Sequence, residues 1–73
     1  MVSFPIRLKQ SRKIRSMTQK QVAEGIQVPE TQYQKYEHGK VKPSYDIIIK
    51  LCYHLNLSAD YLLSLTDEPR PLE

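Results

Sequence analysis

The sequence has few of the features that mark secreted, membrane-spanning or disulfide-linked proteins. Its single cysteine, Cys52, excludes an internal disulfide and so favours a reducing compartment. No run approaches the roughly 20 apolar residues of a membrane span, and residues 1–6 lack the apolar segment of a signal peptide. We therefore expect a soluble, cytoplasmic protein that does not associate with membranes.

Groups that carry catalysis or hold a cofactor are also scarce. The sequence has no glycine-rich phosphate loop, and no nucleophile stands within an acid–base set. His38 and His54 do not stand at metal-ligand spacing from Cys52 or from each other. We predict no enzymatic activity, no cofactor, no metal and no small-molecule substrate. Cys52 lies on the apolar face of a predicted helix, and we interpret it as a small core residue.

Charge is divided unevenly along the chain. Residues 1–42 hold nine lysines and arginines against three acids, a net charge of +6, whereas residues 43–73 have a net charge of −3. A basic half facing a polyanion, with an acidic half turned away, is what attraction to a phosphate backbone favours. Ordinary solvated charge on the outer faces of helices is the alternative interpretation.

Apolar periodicity predicts an all-α fold with five helices in one domain. Glycine occurs only at Gly25 and Gly39, and no segment shows the sustained alternation of apolar and polar residues that marks a strand. The first helix is predicted over residues 5–16, and the third begins at residues 28–30 and ends at Gly39. The predicted N-caps of the second, fourth and fifth helices are Thr18, Ser44 and Ser58.

The predicted core consists of apolar residues that recur with helical spacing. In the fourth and fifth helices these are Ile48, Leu51, Cys52, Leu55, Tyr61, Leu62 and Leu65. Tyr33 and Tyr36 share one side of the third helix, and we interpret them as core residues rather than base-stacking groups. Ile47, Tyr53 and Leu57 are either the edge of this core or, with the fifth helix, a subunit interface. We favour the interface and predict a weak homodimer.

The second and third helices form the unit on which the functional prediction depends. They are joined by a tight turn, and Ala23 supplies the small side chain needed where two such helices touch. On the third helix, Thr31 and Lys35 fall on the side opposite the tyrosines. Two helices joined by a short turn, the second with a polar outward face, are typical of the DNA-binding helix-turn-helix.

Five short runs carry a family resemblance. They are Thr18-Gln19, Val22-Ala23-Glu24, Tyr36-Glu37-His38-Gly39-Lys40, Lys42-Pro43-Ser44 and Leu57-Ser58-Ala59-Asp60-Tyr61-Leu62-Leu63. Taken together in this order, they resemble the Cro and phage-repressor type of helix-turn-helix domain, the XRE family, from about Ile6 to Asp67. The resemblance implies a five-helix, lambda-repressor-like bundle that binds double-stranded operator DNA, usually as a homodimer on a two-fold site. We predict that this domain spans residues 1–67, that residues 68–73 form a flexible tail, and that the protein is a repressor.

The resemblance also implies roles for individual residues. Gln19 would contact a phosphate and the neighbouring base edge, whereas Glu30, Thr31 and Lys35 would reach into the major groove. There a lysine can donate to guanine, a carboxylate can accept from cytosine and a threonine methyl can touch the thymine methyl. Gln32 and Gln34 flank this face of the third helix and would contact a phosphate or nothing. The sugar-phosphate strand would be gripped by Lys40, Lys42 and the backbone around His38 and Gly39. Arg12 and Glu37 would form an ion pair tying the first helix to the third.

Some positions depart from the family pattern. Gln27 stands in the turn where the family often has glycine, so either Gln27 or Gly25 is expected to take the left-handed conformation. Pro29 replaces a common capping serine or threonine, and Ser11 occupies a usual leucine position. The rival prediction for the whole chain is a protein-interaction module, such as an antitoxin-like protein, on the same fold.

Overall fold

The computed structural model describes residues 2–72, which contain five α-helices and no β-strand. The helices are α1 (Phe4–Ile14), α2 (Gln19–Gly25), α3 (Glu30–Glu37), α4 (Tyr45–Leu55) and α5 (Ala59–Leu62). This confirms the predicted all-α, five-helix fold. Met1 and Glu73, which the predicted domain boundaries include, lie outside the described residues. None of the helices in the described range combines the length and apolar character needed to cross a membrane.

Three helices begin at the N-caps that the sequence predicted. The Thr18 hydroxyl accepts a hydrogen bond from Gln21 N at 3.0 Å, and the Gln21 side chain accepts one from Thr18 N at 2.8 Å. This reciprocal pair is a capping box. Ser44 and Ser58 each accept from the backbone N–H three residues later. Since a serine or threonine cap contributes about 1 kcal/mol, these side chains fix where the short helices start.

Residues in the left-handed conformation shape several turns. Gln27, between α2 and α3, has a φ of 63°, so Gln27 rather than Gly25 takes the unusual conformation in this turn. Asn56 ends α4 with a φ of 49°, a conformation that asparagine tolerates better than most residues. Ser16 has a φ of 55°, and α1 accordingly ends at Ile14, two residues before the predicted end.

The core lies where the five helices meet. Its buried apolar side chains are Leu8, Val22, Ala23, Ile26, Tyr33, Tyr36, Leu51, Cys52, Leu55, Leu57, Tyr61 and Leu62. The rings of Tyr33 and Tyr36 meet edge to face, with centroids 6.4 Å apart. The core interpretation of both tyrosines and of Cys52 is therefore confirmed.

Two predictions about apolar side chains were wrong. Leu65 was predicted to lie in the core but is 71% exposed, because α5 ends at Leu62 and the left-handed Ser64 redirects the chain. Leu57 was predicted to be part of an exposed interface but is buried, since the turn after α4 directs it into the core. Ile47 and Ile48 are partly buried and pack against the same core.

Polar side chains in α1 and at its C-cap, Arg15, donate hydrogen bonds to backbone carbonyls. Ser11, at the usual leucine position, is fully buried and its hydroxyl donates to the carbonyl of Arg7 at 2.7 Å. Arg15 donates to the carbonyls of Leu55 and Asn56 at 2.6 and 2.8 Å. These carbonyls lie at the end of α4, where a cation is favoured by the helix dipole. Arg15 therefore joins α1 to the end of α4.

The segment after α5 folds back on the bundle. Ser58 N donates to the carbonyl of Arg70 at 2.8 Å, and Leu72 N donates to Asn56 Oδ1 at 3.2 Å. The side chain of Leu72 packs against the core. The flexibility expected of residues 68–73 stays a prediction.

Gly25, the last residue of α2, packs directly against the ring of His54 in α4. A Cβ atom on Gly25 would overlap the imidazole ring of His54. We expect Gly25→Ala to lower the free energy of unfolding by about 1–3 kcal/mol, because the added methyl group must displace the His54 ring from its packed position. By helix propensity alone, alanine would stabilise α2 relative to glycine. Urea denaturation, which measures the free energy of unfolding, should instead show that the variant is less stable.

The control for this prediction is the same substitution in a His54→Ala background, where the ring is absent. There Gly25→Ala is expected to be neutral or stabilising. An equal loss of stability in both backgrounds would show that the His54 contact is not the cause.

Candidate nucleic-acid interface

The α3 helix turns one side inward and the other to solvent. Its buried side chains are Tyr33, Tyr36 and Glu37. Glu30, Thr31 and Lys35, which the resemblance assigned to the major groove, are exposed, as is the C-cap residue His38. The three predicted base-contacting residues thus share one outward surface with the half-buried Gln34 and with His38. We call this surface the α3 face (Glu30, Thr31, Gln34, Lys35 and His38).

The charges at the two ends of α3 suit the helix dipole. Pro29 precedes the helix without a capping side chain, and Glu30 places a negative charge in its first turn. Lys35 lies in its last turn, and its carbonyl accepts from Lys40 N at 3.0 Å where the chain turns away at Gly39. Gly39 has a φ of 74°, a conformation that glycine adopts without strain.

A basic loop follows α3 directly. Lys40 and Lys42 are both exposed, and neither takes part in a salt bridge within the described residues. Gln32 differs from them because it is half-buried and its Nε2 lies 3.4 Å from the hydroxyl of Tyr36. The two lysines are therefore available to an anionic partner.

The carboxylate of Glu37 joins the first three helices. Arg12 of α1 donates to it from Nε at 2.7 Å and from Nη2 at 3.2 Å. The hydroxyl of Tyr33 in α3 and Nε2 of Gln19 in α2 also donate, the latter at 3.2 Å. The side chains of Glu37 and Arg12 are 2% and 12% exposed, so this is a buried ion pair.

Hydrogen bonding determines the ionisation of this cluster. Burial raises the pKa of Glu37, but the hydrogen bonds from Arg12, Tyr33 and Gln19 outweigh it and hold the pKa below its usual value. Burial, reinforced by the neighbouring Glu37 carboxylate, raises the pKa of the Tyr33 hydroxyl. The hydrogen bond to Glu37 raises the pKa of Arg12. Glu37 is therefore an ionised carboxylate that accepts hydrogen bonds and donates none.

Gln19 is more deeply engaged with α3 than the sequence predicted. It is half-buried, its Nε2 donates to Glu37, and its Oε1 accepts from Nε2 of Gln34 at 3.5 Å. Sequence reasoning treated Gln19 only as a DNA contact and missed this link. Gln34 and Glu37 are three residues apart and so share one side of α3. This spacing was the only sequence feature that could have indicated a polar partner from another helix at that side.

The structure offers no evidence for metal chemistry at this surface or elsewhere in residues 2–72. No group of three or more histidine, cysteine, aspartate and glutamate side chains in that range is arranged to hold a metal ion. The chemistry available at the α3 face and the basic loop is hydrogen bonding and charge attraction.

Comparison with known proteins gives a consistent result. The sequence pattern described as "helix-turn-helix domain" matches residues 6–68. The uncharacterized HTH-type transcriptional regulator YobD of Bacillus subtilis is 40% identical over 65 residues, covering 89% of this chain and 58% of YobD. The uncharacterized HTH-type transcriptional regulator YqaE of the same organism is 35% identical over 60 residues, covering 82% of this chain and 52% of YqaE.

A solved structure has the same fold. The crystal structure of a transcriptional regulator from Listeria innocua superposes with a TM-score of 0.77 at 27% sequence identity, covering 90% of this chain and 62% of that one. The present chain thus corresponds to between about half and three fifths of the length of these three relatives.

Proposed function

Since the chain belongs to the helix-turn-helix domain family, we propose that it binds double-stranded DNA sequence-specifically and acts as a transcriptional regulator. The family is non-enzymatic, and we expect no catalytic activity. One observation carries the proposal: α3 exposes Glu30, Thr31 and Lys35 while its other side is held in the core. A helix anchored in this way can enter the major groove without losing its packing.

The side chains of the α3 face have the chemistry that base recognition requires. Lys35 can donate to O6 and N7 of guanine, and Glu30 can accept from N4 of cytosine. The methyl group of Thr31 can contact the methyl group of thymine. Lys40 and Lys42 would bind the phosphates beside the groove and position the helix, without selecting a sequence.

We further propose that the protein is a repressor that binds a two-fold operator as a homodimer. Tyr45, Ile49 and Tyr53 are all exposed and stand four residues apart along α4, which places them in one stripe. An uncharged stripe of this kind can pair with itself across a two-fold axis, as an isologous interface requires. This stripe keeps Tyr53 from the interface predicted from sequence but not Leu57, which is buried, or Ile47, which packs against the core.

The decisive experiment is selection of binding sites from random duplex DNA at two salt concentrations. We expect a near-palindrome with half-sites about 34 Å apart, and a steep loss of affinity with salt, about 10³-fold or more from 50 to 200 mM for six or more phosphate contacts. Thr31→Ala and Lys35→Ala are each expected to relax preference at one base position, whereas Lys42→Ala weakens all sequences equally.

Arg70→Ala is the charge-matched control, because Arg70 is exposed and pairs with Glu68 near the end of the chain. It should leave the selected sequence unchanged. Binding that ignores both salt and sequence would contradict the proposal and favour the protein-interaction module.

A further inference from the structure

Two hydrogen bonds link Gln34 to Gln19 and Gln19 to Glu37. In each, the donor and acceptor are fixed, because the carboxylate of Glu37 can only accept. An ionised carboxylate only accepts, so Gln19 must turn its Nε2 toward Glu37. Its Oε1 then faces the other way, where it accepts from Nε2 of Gln34. The charge on Glu37 therefore sets the orientation of two amides, the second of which belongs to the α3 face.

The orientation of Gln34 leaves a specific pair of groups unused. One N–H of its Nε2 is directed at Gln19, while its Oε1 and its second N–H have no partner among the described residues. Gln34 is half-buried, and on α3 it adjoins the exposed Glu30 and His38, four residues before and after it. A held amide that offers one acceptor and one donor matches N6 and N7 of adenine.

We propose that Gln34 is a specificity-determining residue that selects adenine, with Gln19 as the positioning residue that holds its amide. This inference rests on the proposed function, because it assumes that the α3 face enters the major groove. It differs from the sequence-based expectation, in which Gln34 contacted a phosphate or nothing. Fixing the amide before binding reduces the side-chain entropy lost in the complex, which adds to the discrimination.

Binding-site selection with the full chain and with Gln34→Ala tests the inference. We expect the variant to lose preference for adenine at one position of each half-site, by about 5- to 150-fold, with other positions unchanged. A uniform loss of affinity across sequences, or no change, would overturn the inference while leaving the proposed function intact. Failure of the unmodified protein to select any sequence would overturn both.

Gln19→Met tests the positioning role, since methionine keeps the length of the side chain without its hydrogen bonds. In the free protein, we expect the Nε2 proton signals of Gln34 in NMR spectra to shift when Gln19 is replaced. On DNA, the same adenine position should weaken, although Gln34 itself is present. Unchanged Gln34 signals together with an unchanged adenine preference would exclude Gln19 as its positioning residue.

Discussion

Arg12→Ala is expected to lower the free energy of unfolding by about 3–5 kcal/mol, because it leaves the carboxylate of Glu37 buried without a cation. The variant loses two hydrogen bonds to Glu37 and a third to the carbonyl of Met17 at 3.0 Å. A small domain has only about 5–15 kcal/mol of stability in total. Thermal and urea denaturation followed by circular dichroism measure the effect.

Arg70→Ala is a matched control for this prediction. Arg70 and Glu68 lie 2.9 Å apart, similar to Arg12 and Glu37, but both side chains are exposed. An exposed pair contributes at most about 1 kcal/mol, so the control should melt almost like the unmodified protein. If burial of the ion pair causes the loss, Arg12→Ala should lower the free energy of unfolding far more than Arg70→Ala, although the N–O distances of the two pairs are similar.

The pH dependence of stability supplies a second measurement on Arg12 and Glu37. The pKa of Glu37 is lower in the folded protein than its ordinary value of 4.5. Its contribution to stability is therefore present above that ordinary value and is lost as the pH falls through the folded value. Without Arg12, the pKa of Glu37 should rise. We therefore expect Arg12→Ala to lose less stability than the unmodified protein on acidification.

DNA binding by Arg12→Ala should fall mainly because less of the protein is folded. At a temperature where the variant is fully folded, its selected sequence is expected to be unchanged. Lost DNA binding with unchanged melting would instead make Arg12 a DNA contact.

Local features of the fold could be predicted from sequence because they depend on a few neighbouring residues. Thr18 with Gln21, and Ser44 and Ser58, have the chemistry of caps at the spacing that caps require. The inward placement of Tyr33 and Tyr36 follows from helical periodicity alone. These patterns were sufficient to predict five helices and an outward polar side of α3.

Features that depend on an unexpected turn or on contacts between distant residues could not be predicted. Leu65 has the spacing of a core residue, but a left-handed turn at Ser64 directs the chain elsewhere. The orientation of Gln19 depends on where the packing of α3 places Glu37. Periodicity states which side of a helix is buried, but not which polar groups will meet there.

Arg7 is the largest feature that the sequence did not reveal. Its side chain is only 2% exposed, although a lysine or arginine on an amphipathic helix is usually solvated. Its Nη1 donates to the carbonyls of Tyr61 and Thr66 at 3.0 and 2.8 Å, and its guanidinium lies 4.2 Å from the centroid of the Tyr61 ring. These partners are more than fifty positions away in the chain, so no local pattern indicates them.

Arg7→Met is therefore expected to lower the free energy of unfolding by about 2–4 kcal/mol, since methionine keeps the apolar stem but leaves two carbonyls without their charged donor. The loss should be smaller than for Arg12→Ala, because the carboxylate partner of Arg7, Asp67, is 89% exposed and is not stranded in the core. Denaturation in urea measures the loss.

The stability lost in Arg7→Met should come from one segment of the chain. The location of the loss can therefore be tested as well as its magnitude. The amides of Leu65 and Thr66 donate to the carbonyl of Asp60, in the segment that Arg7 ties to α1. In Arg7→Met we expect these amides to exchange with solvent faster than those of α3 under native conditions. Asp67→Asn is the control and should change stability by less than about 1 kcal/mol. If Asp67→Asn were as damaging as Arg7→Met, the ion pair and not the two carbonyls would be the source of the stabilisation.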